Sequence, residues 1–393
     1  MHVAMVVRCF STKGGLELYA HKLIEGLLQN QVCVTVFCQD NDSTLEHGLL
    51  SIRPIAKRPR KLSKAQRLEH DFRAANEALQ DASEFDVVHS QHYPTDKATT
   101  VTFHNHAVHR WLAVGQPWEI FANESKAKLM KSYRLRDEYD RILCQTARCL
   151  IFPANVMQED YYETYEFLKT NNTPYVVAYP GASLNQAAEP GSGTASAVTQ
   201  TASKRPFTFL FVGRGYRRKG LDVLQVACSK LAKQGRDFRL VIAGLSAKPL
   251  DRVRLALMGL SDKVTYLGFQ SDMASIYRCA DAAVLPSRIE PFGMAPLQAM
   301  QFGLVPIVSR VSGASEVLKH ERDSLILDNH LNADELAQHM ARLMDDPQLL
   351  AALSKEALQT AKSVTWDNTL RKTLQAYEIA TGAGTATAQT AVQ

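Results

Sequence analysis

The segment SRIEPFGMAPLQ, residues 287–298, follows the apolar run AAVLP of residues 282–286. The run reads as a strand, and the segment reads as a loop that opens a short helix ending near Phe302 and Gly303. Glu290 therefore stands at the tip of a strand, just ahead of a glycine loop and a helix start. In a parallel α/β sheet this is where ligands are held, and backbone N–H groups there attract anions. Gln298 follows eight residues after Glu290, about a turn into the helix. At ~1.5 Å of rise per residue, the two side chains can grip opposite ends of one elongated ligand.

The same alternation of apolar run and amphipathic stretch extends through the chain, twice over. In the first half the spacing predicts strands at 2–7, 32–38, 86–89, 99–103, 149–153 and 175–179. In the second half it predicts strands at 207–212, 238–243, 264–267, 282–285, 305–308 and 324–327. Near-continuous apolar strands between helices imply parallel sheets covered on both faces. The expected fold is α/β, with two Rossmann-like, doubly wound domains facing a central cleft. The boundaries expected are a first domain over 1–184, a linker or surface loop at 185–206 and a second domain over 207–365. A closing helix over 366–380 and a disordered tail over 381–393 complete them. The linker is rich in Gly, Ala, Ser and Thr and has no apolar periodicity.

Length and composition agree with this division. A chain of 393 residues, 46% apolar, can build two ordinary domain cores. No apolar run approaches the ~20 residues of a spanning helix, and the N-terminus reads directly as a strand without a signal-peptide pattern. The seven cysteines include no Cys-x-x-Cys pair, which points to reduced thiols and a cytoplasmic setting. A formal charge of +5 suits an anionic substrate or membrane surface without singling out either.

Other segments bear on chemistry. The run FVGRGYRRKG, 211–220, links a strand to a helix. Its glycines allow close backbone approach, and Arg214 and Lys219 suit a diphosphate. Taken alone it is a solvated basic turn; beside Glu290 at the same sheet edge, the ligand reading prevails. Gly14 and Gly15 stand at the first strand-to-helix turn, either as turn residues or where the first domain meets a diphosphate. His89, His92, His104, His106 and His109 crowd one region. His89 and His104 fall at predicted strand ends facing the cleft. Most of the five read as polar loop residues, a zinc site lacks acidic or cysteine ligands at suitable spacing, and His104 is the candidate for a substrate contact. Asp40-Asn-Asp42 reads as a turn rather than a metal-holding DxD. The basic stretches 53–73 and 126–141 read as solvated helix faces, or as a patch for anionic lipid headgroups.

In order and combination these pieces resemble the retaining GT-B glycosyltransferases of glycosyltransferase family four, over nearly the whole chain. The resemblance is carried by Gly14-Gly15, Thr102-Phe-His104, Tyr179-Pro-Gly181, Gly213-Arg214, Lys219-Gly220, Glu290-Pro-Phe-Gly293, Gly303-Leu-Val-Pro306 and a helix near Trp366 that in such proteins crosses back to the first domain. It is similar in particular to the glucosyltransferases of lipopolysaccharide cores, in which the position of 126–141 is thought to touch the membrane.

The resemblance implies a hexosyl transfer from a nucleotide sugar, UDP-glucose first, to a cell-envelope glycan or lipid-linked acceptor with retention of configuration. By the same resemblance Arg214 and Lys219 bind the diphosphate and Phe292, Gly293 and Met294 offer backbone N–H groups. Glu290 contacts donor-sugar hydroxyls, His104 reaches the sugar, and Gly14 and Gly15 lie near the phosphates or the acceptor. It implies no metal and no cofactor beyond the nucleotide-sugar co-substrate, no nucleic-acid partner, and a cytoplasmic protein with peripheral contact to the inner face of an anionic membrane. One position departs from the family: Gln298 stands where a ribose-gripping glutamate is expected, and its neutral carbonyl makes weaker bonds to hydroxyls. A GT-B nucleotide-sugar epimerase and a non-catalytic sugar-nucleotide-binding protein are the alternatives. A nucleic-acid-binding regulator using 53–73 ranks behind them.

Overall fold

The computed structural model describes residues 1–115, 117–182 and 205–382. The expected linker and tail lie, but for 205–206 and 381–382, outside the described residues. Tertiary contacts divide the chain into two compact units, one formed by residues 1–181 with the helix Trp366–Thr381, the other by the residues up to Thr365.

The first unit is built on a seven-stranded sheet of β1 (His2–Val6), β2 (Cys33–Cys38), β3 (Leu50–Pro54), β4 (Val87–Ser90), β5 (Thr100–Thr102), β6 (Cys149–Phe152) and β7 (Tyr175–Val177), with a separate two-residue parallel pair, Cys9–Phe10 and Asp40–Asn41, beside it. All pairings in the sheet are parallel, in the order β3-β2-β1-β4-β5-β6-β7. The central strands read as unbroken apolar runs because both faces are covered. Helix α1 (Gly15–Gln29) turns Leu23, Ile24, Leu27 and Leu28 into one core cluster with Val3, Met5 and Val34. Each such side chain contributes about 1.5–3 kcal/mol by leaving water. The Trp366–Thr381 helix adds Leu370 and Tyr377 to that cluster. It passes so close to α1 that a Cβ on Gly26 would stand 2.9 Å from Leu370 Cδ2.

The second unit holds β8 (Phe207–Val212), β9 (Phe238–Ala243), β10 (Val264–Gly268), β11 (Ala282–Leu285), β12 (Val305–Ser309) and β13 (Leu325–Leu327), again all parallel. Their order is β10-β9-β8-β11-β12-β13. Phe209, Phe211, Leu240, Ile242, Val284 and Ile307 fill its core.

Both sheets share one winding. Succession reverses between β1 and β4 in the first unit and between β8 and β11 in the second. At such a switch point the loops leaving the carboxyl ends part and form a crevice. Two expectations need correction. β3 was absent from the predicted strands, because LSIRP is a largely exposed edge strand with no apolar run. His89 does not sit at a strand end facing open space: β4 continues past it to Ser90, and its ring is fully buried.

Candidate active site

In the second unit the two loops at the switch point are locked together. The loop after β8 curls on itself, with Lys219 N–H donating to Gly215 O at 3.0 Å and Leu221 N–H to Tyr216 O at 2.9 Å. It ends on Gly220, which caps the helix Leu221–Lys233 at φ 73°. A Cβ there would meet Pro286 O at 1.9 Å, so only glycine lets this turn abut the end of β11. Arg288 completes the lock: its guanidinium donates to both Asp222 oxygens, at 2.7 and 2.6 Å, and to the Arg217 carbonyl. Its own N–H donates to Arg218 O at 2.9 Å.

This lock sets Lys219 against Glu290. Nζ donates to Glu290 Oε2 at 2.6 Å, and a guanidinium nitrogen of Arg218 lies 3.7 Å from the same oxygen. The Lys219 and Glu290 side chains are only 12% and 9% exposed, so water screens the pair little. Behind them the 290–293 loop is pinned to 312–314. Gly313 N–H donates to Glu290 O at 3.2 Å, and Ala314 N–H and Ser312 Oγ–H donate to Phe292 O at 2.7 and 2.8 Å. Gly293 then caps the helix Met294–Met300, placing Phe292, Gly293 and Met294 at its start. Gln298 lies on that helix, and its Oε1 accepts from the Tyr277 hydroxyl at 3.3 Å. One lone pair of the carbonyl expected to serve a ligand is thus engaged, and the second stays open to a hydroxyl.

Arg214 is placed differently from Lys219. It is exposed and lies 5.6 Å over the Phe269 ring. Arg218, which the sequence reading did not single out, is the guanidinium nearest Glu290. Arg288 and Asp222 were also missed. Their pairing spans sixty-six residues and leaves no periodic trace in the sequence.

In the first unit Gly14 caps α1 with φ 138°, and a Cβ on Gly15 would meet nothing within 4 Å. The five histidines separate. His89 Nδ1 lies 2.7 Å from the Tyr377 hydroxyl and its Nε2 2.8 Å from Thr102 Oγ1. His92, in the left-handed region at φ 54°, holds Asp140 at 2.9 Å through Nε2. His106 Nδ1 is 2.8 Å from Asp160, and His109 is exposed. His104 is half-buried, with Nε2 2.8 Å from Gln91 Oε1 and an edge-on contact to Tyr19 at 4.9 Å. Burial, aided by neighbouring His92 and His89, lowers its pKa to about 3; burial alone does the same to His89. Both rings are neutral near pH 7. The Asp40-Asn-Asp42 stretch is not the expected turn: Asp40 and Asn41 pair in parallel with Cys9 and Phe10, Asp40 meets Lys57 at 2.9 Å and Asp42 lies 3.9 Å from Lys13. Among the described residues no group of three or more His, Cys, Asp or Glu is placed to hold a metal ion.

A carboxylate shared by an ammonium and a guanidinium, at the carboxyl edge of a parallel sheet, can exchange partners. The cations can turn to phosphate oxygens, and the carboxylate can accept from hydroxyls. Two doubly wound units, each with such an edge, define the GT-B class of fold. Residues 13–186 match the glycosyltransferase family 4 model, and residues 196–360 match that of the glycosyl transferases group 1. The chain belongs to this GT-B glycosyltransferase family. It is 31% identical over 215 residues to the D-inositol 3-phosphate glycosyltransferase of Rhodococcus opacus (strain B4), covering 52% of this chain and 48% of that one. The chain thus matches about half the length of such curated relatives. WaaG, a glycosyltransferase involved in lipopolysaccharide biosynthesis, shares the fold at TM-score 0.75 and 15% identity, over 97% of this chain and 100% of that one. Anabaena HepE in complex with UDP-glucose shares it at TM-score 0.66 and 16% identity, over 95% and 98%.

Proposed function

We propose that the protein is a retaining, metal-independent hexosyltransferase that moves glucose from UDP-glucose to a cell-envelope glycan or lipid-linked acceptor. The observation that carries this reading is the Lys219–Glu290 contact at the switch point of the second unit. Lys219, with Arg218 and Arg214, takes the diphosphate. As the bond between the anomeric carbon and the phosphate oxygen breaks, that oxygen keeps the electron pair, and the cations stabilise its charge. They do the work a divalent ion does elsewhere. Glu290, released by the phosphate, accepts from donor-sugar hydroxyls. Phe292, Gly293 and Met294 direct backbone amides at phosphate and sugar, His104 contacts the sugar, and Gly14 and Gly15 border the phosphates or the acceptor. Gln298 faces the ribose. The acceptor hydroxyl oxygen bonds to the anomeric carbon on the face the phosphate leaves, and its proton passes to the departing phosphate.

The UDP-glucose assignment draws on the HepE complex, and the envelope acceptor on WaaG. The relative's name supports an inositol phosphate as a second acceptor class. The test is a thermal-shift screen of UDP-, GDP- and ADP-sugars, then transfer from UDP-glucose with EDTA present and the product anomer read by NMR. Retained configuration with EDTA supports the proposal. Binding without turnover supports the non-catalytic alternative, and isomerised donor the epimerase.

The same protein works on the cytoplasmic face of the inner membrane. In the helix Pro117–Leu129, Trp118, Phe121 and Leu129 are 64%, 73% and 85% exposed. At ~100° per residue they share one face, with Lys126 and Lys128 about 80° to either side of Trp118. No helix among the described residues is long and apolar enough to span a membrane. Co-sedimentation with phosphatidylglycerol vesicles should be lost in Trp118→Ser/Phe121→Ser; equal retention of variant and parent rejects the contact.

A further inference from the structure

His104 Nε2 faces Gln91 Oε1 at 2.8 Å. A carbonyl oxygen only accepts, so Nε2 carries the proton. Gln91 Nε2 lies 3.2 Å from His89 Nε2 and 3.3 Å from Met5 Sδ. An amide N–H donates to both, whereas the reversed amide would set its oxygen against the sulfur. His89 Nε2 is therefore an acceptor, which the Thr102 hydroxyl at 2.8 Å shares by donating to it, and its Nδ1–H donates to the Tyr377 hydroxyl at 2.7 Å. Gln91 and His89 are 2% and 0% exposed, so water does not compete for the bonds from the Gln91 amide nitrogen. Gln91 is also anchored by its backbone, whose N–H donates to Val6 O at 2.9 Å just past β4. The residues facing the His104 ring are Tyr19, Gln91, His89 and His92, with Asp140 behind His92.

We propose that Gln91, backed by His89 and Tyr377, is a positioning residue that fixes the Nε2–H tautomer of His104 and presents its Nδ1 as an acceptor for a hydroxyl of the donor sugar. This rests on the assignment of His104 to the sugar. A bare ring nitrogen takes a hydroxyl proton and repels phosphate oxygens, so it sorts the sugar end of the donor from the diphosphate end. The His104 backbone supports the same orientation: its N–H donates to His92 Nδ1 at 3.2 Å, which fixes where the ring leaves the chain.

The experiment is long-range 1H–15N correlation NMR of the labelled full chain, with UDP-glucose kinetics alongside. Wild-type His104 should show the Nε2–H pattern, unchanged from about pH 8 to pH 5. Gln91→Glu sets a carboxylate against Nε2–H and favours the imidazolium, so His104 should titrate within that range and kcat/KM should gain a new dependence on pH. Gln91→Met removes the acceptor at similar length. It should mix the tautomers and raise KM for UDP-glucose about 5-fold, the loss of one neutral hydrogen bond. An Nδ1–H pattern in the wild type, or His104 titrating there near pH 6.5, overturns the proposal without need of any variant. Mixed tautomers in Gln91→Met with an unaltered KM would instead overturn the sugar assignment on which the proposal rests.

Discussion

Lys219→Met removes one ammonium and keeps most of the aliphatic stem. The charge it loses lies 2.6 Å from Glu290 Oε2, while Arg218 stays 3.7 Å away. At an effective dielectric near 20 the gross attractions are roughly 6 and 4–5 kcal/mol. Most of that is offset by dehydration, and breaking a buried pair from one side ordinarily costs about 3–5 kcal/mol. Because Glu290 keeps Arg218, the expected loss of stability in the second unit is about 2–3 kcal/mol. By calorimetry this is a fall in its transition of roughly 5–10 °C. The effect on transfer is separate. Without the cation at the diphosphate, kcat with UDP-glucose should fall ~10²–10³-fold, as when one oxyanion donor is lost. Lys219→Met/Glu290→Gln distinguishes the two tasks. With no stranded carboxylate, the double variant should regain most of the stability and none of the turnover. Turnover restored in it would mean that Lys219 serves only to neutralise Glu290, and the phosphate role would be refuted.

Three further outcomes are expected. Gly220→Ala forces a Cβ into Pro286 O at φ 73° and should destabilise the second unit by at least about 2 kcal/mol, seen as a lower calorimetric transition. Gln298→Glu keeps an acceptor for the Tyr277 hydroxyl and adds a charge, so calorimetric titration should show UDP binding several-fold tighter, about 1 kcal/mol; weaker binding would reject the ribose role. His89 and His104, lowered to about 3, are neutral in the fold but take protons below ~6.5 when unfolded. The unfolded state then binds more protons, so urea stability should be level above about pH 6.5 and fall between there and pH 3 by up to ~1.4 kcal/mol per pH unit for each histidine. A flat profile would show that these rings are not held neutral.

The strands were legible wherever burial on both faces produced a continuous apolar run, as in FTFLFV at 207–212 and AAVL at 282–285. β3 escaped because an edge strand needs only backbone partners, and LSIRP keeps most of its side chains in water. Glu290, Lys219 and the helix start at Met294 were readable as strand-end chemistry. The choice among Arg214, Arg217 and Arg218 was not. It depends on how the loop curls, and that is set by the Tyr216–Leu221 and Gly215–Lys219 bonds and by the distant Arg288–Asp222 clamp. The histidine cluster shows the same limit. Composition placed five imidazoles together, but a one-residue extension of β4 moved His89 from an edge to the interior, where it serves His104 through Gln91.

The helix Trp366–Thr381 gives the first unit a second, late-made piece. On the ribosome, β1 through β7 emerge well before Leu370 and Tyr377, so α1 and His89 wait with one flank bare while the entire second unit is synthesised. Chains cut short just after Thr365 would carry an intact second unit and a first unit missing its last wall. Grafting residues 366–381 onto Gly181 by a short loop would give a contiguous first unit, able to close as soon as it is translated.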